Sequence, residues 1–476
     1  MAVAGFLCAV GLAFFLAGLS IGRGRLFVPD GAPLRWGLWG MAWFAMFMST
    51  AVFIGRANTI GGVALDTTSI IQLAWVGLAS VLALVSLLRA QPWFGLSAAP
   101  IWLFVLYGFL GMATSMFSPR PLFSMYKAGV VVFDVLLAAG LLVLALRSGR
   151  RHVSDLTLGL VVLAIGGALL GALIWPAYAF QPKPGAFGIM LYGVLPILHP
   201  NELGMWAGIV LVVSMARWYV APDARQKWSW LFIGCASAVV VLLAQSRTSV
   251  VAILVSVALA IPYLSKTRAH AVIGSSVLLM IAAGGVGILV VFLGPDVLFS
   301  PVINYLERGQ AEGGLATMHD RIGAWMNIGW PMFLESPIVG HGFDAGVRFG
   351  TDLGIGHLHN SYFQILANSG LLGILPWIAA VVIGGLGLVR HAWRQRSSPP
   401  LERARALVPV LILLGLLARS WTGSVMVSHA WSTMMFLALM VDLYAFRARP
   451  VASPTVSHPE PRRYVARKSL SASQQA

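Results

Sequence analysis

Apolar residues gather along the chain in runs of about 17 to 25 residues, long enough to cross a bilayer, separated by short polar joints. Such runs lie at 2–21, 35–55, 69–88, 98–117, 126–146, 156–176, 202–220, 229–246, 248–265, 271–294, 370–390, 406–424 and 429–446. In lipid every backbone polar group must be satisfied within the protein, so only helices and closed barrels span. These runs are too long and too continuously apolar for barrel strands. The pattern predicts an all-α fold, a polytopic transmembrane helix bundle of about 12–13 spans over residues 1–446, with one long periplasmic loop at 295–369. Residues 447–476, rich in Ser, Pro and Arg, cannot bury a core and are expected to form a disordered basic cytoplasmic tail. The first run has neither a basic segment before it nor a clear small-residue cleavage site after it, so a retained span is expected.

Composition excludes a water-soluble globule. Hydrophobic residues make up 58% of the 476 and charged residues only 10%, against about 25% charged in ordinary domains; mean hydropathy is +0.84. The formal charge of +16 would suggest nucleic acid in a soluble protein, but its distribution removes that reading. Alternate joints, from Arg23, Arg25 and Arg35 through to the C-terminal tail, hold 23 of the 32 basic residues and five acids. The remaining joints hold nine of each, and Asp134 and Asp442 fall within spans. Cytoplasmic joints collect Lys and Arg, so the excess marks the cytoplasmic side, places the C-terminus there and implies no nucleic-acid partner. With all the runs spanning, the N-terminus is outside. Cys8 and Cys235 are the only cysteines and both sit in apolar runs, which argues against a disulfide framework or a thiolate zinc site.

The outer side carries the candidate chemistry. The loop 295–369 contains seven of the nine outer acids and four of the ten histidines. Within it, 319–334 (HDRIGAWMNIGWPMFL) is expected to form a helix at the membrane interface, with Ile322, Trp325 and Ile328 on one face and Trp325 and Trp330 as anchors. The segment 357–373, HLHNSYFQILANSGLLG, sets His357, His359 and Asn360 where polarity gives way to a span. A histidine at that boundary either serves as a general base while neutral near pH 7 or makes one structural hydrogen bond. Arg247 stands in QSRTS (245–249), a polar break barely separating two spans. A permanent charge there requires either an anionic partner, such as a diphosphate gripped by its fork, or escape to lipid headgroups. His199, Asn201 and Glu202 open another span, where Asn201 is expected to cap the helix. Arg321 is a further phosphate candidate, and Arg120, Lys127, Lys183, Arg308, Arg348 and Arg419 complete the outer basic set, most of them expected to be solvated or lipid-facing. Asp134 is a deep acid, whereas exposure near the cytoplasmic end accounts for Asp442. No Walker loop, HExxH, CxxC or DxD motif appears, which argues against a nucleotide-driven pump and a metal-dependent transferase, so neither metal nor cofactor is expected.

His359–Asn360, nine residues, Gly370, two residues, Gly373 is similar to the signature of the O-antigen ligase and polymerase superfamily of bacterial inner membranes. HPNELG (199–204), QSRTS (245–249), RIGAW (321–325) and SPIVGHGF (336–343) fit the same resemblance, which spans roughly 185–390. It implies a metal-independent glycosyltransferase acting at the periplasmic face on a glycan carried by undecaprenyl diphosphate. His359 would then be the essential histidine and Arg247 the diphosphate-holding arginine, with Arg321, Asn360, His199, Asn201 and His357 as substrate-binding candidates. The acceptor would be lipid A core oligosaccharide for a ligase or a growing polysaccharide for a polymerase, in the lipid bilayer of the inner membrane. HLHN and RIGAW also look like exopolysaccharide polymerases. A transporter or flippase is the reading from another class, and it fits less well, because midplane polar residues are its mark and here only Asp134 is deep.

Overall fold

The computed structural model describes residues 37–51, 67–87, 98–148, 153–182, 189–265, 321–350 and 356–447. Among these, eleven of the expected spans appear as helices: α1 (Gly37–Ser49), α2 (Thr67–Leu87), α3 (Ala99–Thr114), α4 (Pro121–Ser148), α5 (Val153–Ile174), α6 (Pro200–Val220), α7 (Ala224–Ala244), α8 (Arg247–Leu264), α9 (Ser361–Gln395), α10 (Pro400–Ser420) and α11 (Trp431–Arg447). Those expected at 2–21 and 271–294, the loop segment 295–320 and the tail from 448 lie outside the described residues. Among the described residues seven helices, α3 to α9, are long and apolar enough to cross a membrane. The protein is an all-α, multi-pass membrane bundle.

Helices apolar all round can bury any face, and their exposure shows which ones are central. In α11 the run Met434 to Val441 is fully buried, against α4 and α5. α7 and α8 are peripheral, with Phe232 76% and Leu254 64% exposed. Two polar devices bind the centre together. Asp442, on α11, accepts hydrogen bonds from the backbone N–H of Val153 and Ser154, 2.9 Å each, and from the Ser154 hydroxyl. It thereby caps α5 from a neighbouring helix, satisfying N–H groups that would otherwise be orphaned. The expectation that exposure explains Asp442 is corrected, since it is 4% exposed. Asp134, on α4 and fully buried, lies 2.7 Å from His429 Nδ1, whose Nε2 is 2.6 Å from Ser49 Oγ on α1. The expected deep acid is thus a tie between α1, α4 and the α10–α11 connection.

Between α5 and α6 the chain forms two small antiparallel hairpins. β1 (Phe180–Pro182) pairs with β2 (Ile189–Leu191), Phe180 opposite Leu191, and β3 (Gly193–Val194) pairs with β4 (Ile197–Leu198), Gly193 opposite Leu198. The described part of the loop ahead of α9 has regular structure as well. Residues 321–335 are helical, widened to a π-helix over Trp325–Gly329. Trp325 is buried here and stacks on Phe363 at 5.8 Å, so it belongs to a small core under the loop and is not an interfacial anchor. Trp330 is 39% exposed.

Candidate active site

The site is built from helix ends. α6, α8, α9 and α10 pack on one another, and hydrogen bonds join their ends at one end of the bundle. Thr422, just past α10, donates its hydroxyl to Thr248 Oγ1 in the first turn of α8 (3.0 Å), and Asn360 Nδ2 donates to the Trp421 carbonyl (3.3 Å).

His359 is held from both sides. Leu358 is fully buried; its N–H donates to Gln364 Oε1 and its carbonyl accepts from Trp325 Nε1, both at 2.7 Å. Asn360 caps α9, its Oδ1 accepting from the N–H of Tyr362 (2.9 Å) and Phe363 (3.2 Å). Between these fixed neighbours His359 has φ +52°, a conformation that L residues adopt at a cost and that persists where the surroundings over-determine it. Its ring lies 4.0 Å from that of His357. Both Asn360 amide atoms are engaged by backbone, so the residue's role here is to aim His359.

The loop 336–343 locks this segment down. α9 kinks at Gly370 (φ +56°), and there the N–H groups of Leu371 and Leu372 donate to the carbonyls of Pro337 (2.8 Å) and Ile338 (3.1 Å). His341 N–H donates to Ala367 O at 3.0 Å. A Cβ on Gly370 would sit 2.5 Å from Ile338 O, so both its positive φ and the close approach call for glycine. The helix beginning at Ser361, rather than at the expected 370, puts the glycine pair inside α9, and it is there that the loop docks.

Arg247 occupies the first residue of α8, after Gln245 closes α7 in the left-handed conformation and donates to Ile189 O at 2.7 Å. Arg321 lies close enough to Arg247 that the Arg247 charge, together with burial, lowers its pKa. Arg419, expected to be solvated or lipid-facing, is 9% exposed, and its Nη1 donates to the Thr422 carbonyl and hydroxyl at 2.8 Å each. His199, not Asn201, caps α6: its Nδ1 accepts from Asn201 N–H at 3.2 Å. Asn201 sits buried in the first turn.

The charges converge on His359. Burial, then the neighbouring His357, Arg321, Arg419 and His199, push its pKa from 6.5 down to about 3. His357 is lowered by the same burial and by Arg419 and Arg321, opposed by Asp344. Asp344 is itself raised by burial against the pull of Lys127, Arg348 and His357. The result is a neutral imidazole beside two guanidiniums, Arg321 and Arg419, with Arg247 next to Arg321. Of the predicted site residues, His359, His357, Arg247, Arg321 and His199 share this electrostatic neighbourhood. Asn360 and Asn201 stand at its helix starts.

A multi-pass membrane protein with a neutral histidine and a cluster of arginines at one polar end is suited to hold an anionic headgroup beside a base. Residues 231–378 match the family model described as O-Antigen ligase, which supports the resemblance to the O-antigen ligase and polymerase superfamily. No curated protein matches the chain. The matched segment contains Arg247, Arg321, His357, His359 and Asn360, begins after His199 and Asn201, and ends before Arg419. Arg419 is the site residue that sequence reasoning missed. Its signal was the one that singled out Arg247, a permanent charge at the end of an apolar span with hydroxyl neighbours, Ser420 and Thr422.

Proposed function

We propose that the protein is a glycosyltransferase of the inner membrane that moves a glycan from undecaprenyl diphosphate to an acceptor sugar hydroxyl, as an O-antigen ligase attaching polymer to lipid A core. The observation that carries this is the neutral His359 beside Arg321 and Arg419, with Arg247 next to Arg321. His359 accepts the proton of the acceptor hydroxyl as its oxygen attacks the anomeric carbon, and the bond to the diphosphate breaks with its electron pair leaving on phosphate. The guanidiniums stabilise that charge, Arg247 and Arg321 offering forks suited to two phosphate oxygens. A diphosphate is already a good leaving group, so the reaction calls on neither metal nor nucleotide. The positive-inside distribution supports a periplasmic site and a cytoplasmic C-terminus.

Donor binding also solves the problem of basicity. A base with a pKa near 3 is weak at neutral pH, but a diphosphate seated among the arginines offsets the positive field and raises the imidazole pKa toward the working range. The test is a gel of lipopolysaccharide and carrier-linked glycan from cells lacking the protein, complemented with wild type or His359→Ala. Long polymer left on the carrier with bare lipid A core supports the ligase. Single repeat units on the carrier, or loss of a secreted polysaccharide with normal lipopolysaccharide, support instead a polymerase, the reading that HLHN also fits.

A further inference from the structure

Beside the His359 site the start of α4 and the loop turn 341–349 build a second cluster, which the proposed chemistry does not use. Arg348 Cζ lies 5.6 Å from the centre of the Phe123 ring and 5.5 Å from that of Phe349, and the two rings meet edge to face at 5.2 Å. Arg120 Cζ lies 5.9 Å over Phe349, and Lys127 Nζ 5.5 Å over Phe123. Aromatic faces fix cations in place without neutralising them. Among the described residues the acid in ion-pair reach is Asp344, 3.9 Å from Lys127. Lys127 and Arg348 thus share one carboxylate, and Arg120 stands beside them on Phe349.

The cluster stands on a rigid base. Ser124 Oγ donates to Phe343 O at 2.7 Å, and Ala345 and Val347 are fully buried, which turns the side chain of Arg348 outward to solvent. It is also continuous with the site, because Asp344 acts electrostatically on both Lys127 and His357. We propose that this platform is a second binding site, for an acidic glycan: its carboxylate or phosphate groups lie against Arg348 and Arg120, which the Phe123–Phe349 pair holds in place. The assignment to the acceptor rests on the transferase reading above, since a glycan held here approaches the histidines along the Asp344 turn. Arg348 is carried by the loop rather than by a spanning helix, which favours a glycan over a lipid headgroup.

The test uses the full chain in nanodiscs of neutral phosphatidylcholine, with an oligogalacturonate as probe and a maltooligosaccharide of equal length as control. Wild type is expected to bind the acidic probe in a salt-sensitive manner and to ignore the neutral one. Arg348→Ala with Arg120→Ala should weaken binding at least about tenfold, roughly the value of one charge-assisted contact. Phe349→Leu should weaken it several-fold with the charge retained, and Arg348→Lys should restore part of what Arg348→Ala loses. Unaltered melting of these surface variants certifies the fold. His359→Ala should bind the probe like wild type, so failure of the transferase reading leaves this result standing, and the reverse. Equal binding by the double variant, or displacement of the probe by anionic lipid in the nanodisc, would overturn the proposal, the latter by making the platform a lipid site.

Discussion

His359 combines two features that pull against each other: a strained backbone and a ring kept neutral by its surroundings. The strain is held by Leu358 and Asn360, so Asn360→Ala should lose the α9 cap at a cost of about 1 kcal/mol and free His359 to relax. The expected result is a lowered kcat at nearly unchanged donor KM, with Asn360→Asp, which keeps the capping oxygen, restoring part of it. Neutrality gives a pH prediction with a definite sign. Activity needs the unprotonated ring, and in the free enzyme its pKa is about 3, so kcat/KM should show no His359 limb near 6.5 on acidification. On the proposed mechanism the limb in kcat should stand at higher pH, because a bound diphosphate would offset the arginine field. A half-fall of kcat/KM near 6.5 that vanishes in His359→Gln would contradict this. Linkage gives a second readout: the folded state binds fewer protons at this ring than the unfolded state, so its stability contribution is present above 6.5 and lost as pH falls toward 3. Melting of His359→Gln should therefore be less acid-sensitive than that of wild type.

At the scale of elements, the long apolar runs made most of the fold legible, because in a bilayer length and continuity alone force a helix. What they left open was how helix ends are tied to each other. Gly370 could be read as a packing glycine, but its positive φ and the docking of Pro337 and Ile338 on the kinked α9 depend on residues some thirty positions away. Gly370→Ala places a Cβ against Ile338 O and should cost on the order of 1–3 kcal/mol, seen as a lower melting temperature with loss of transfer. Asp442 was misjudged for a similar reason. Position along a span says nothing about a neighbouring helix start, and here that start, Val153–Ser154, consumes the carboxylate. Asp442→Ala should destabilise the bundle by about 2 kcal/mol or more, the scale of charge-assisted hydrogen bonds left unmade, without altering donor KM. Trp325 and Arg419 likewise looked like surface residues because nearest-neighbour sequence shows polarity and not burial.

For the whole molecule, four helix ends meet at one place, and most of that meeting was legible: His359, His357, Arg247, Arg321 and His199 were singled out from polar breaks between spans. Arg419 escaped because it lies at a C-terminal helix end, and only the packing of α10 on α8 buries it against Thr422, which in turn bonds Thr248. Arg419→Lys keeps a charge but loses the planar guanidinium, whose Nη1 holds Thr422. It is expected to raise donor KM several-fold while leaving the melting temperature within a few degrees, as followed in a transfer assay over donor concentration. The central claim is that His359 removes the acceptor proton while the arginines hold the departing diphosphate. The most direct measurement is transfer by the purified chain in nanodiscs, from undecaprenyl-diphosphate-linked glycan to lipid A core, comparing wild type, His359→Ala and Arg247→Lys at matched folding. The account predicts that His359→Ala loses about 10²- to 10⁴-fold in kcat, the usual contribution of a general base, while still binding donor, and that Arg247→Lys binds donor more weakly. Near-wild-type transfer by a folded His359→Ala would contradict it.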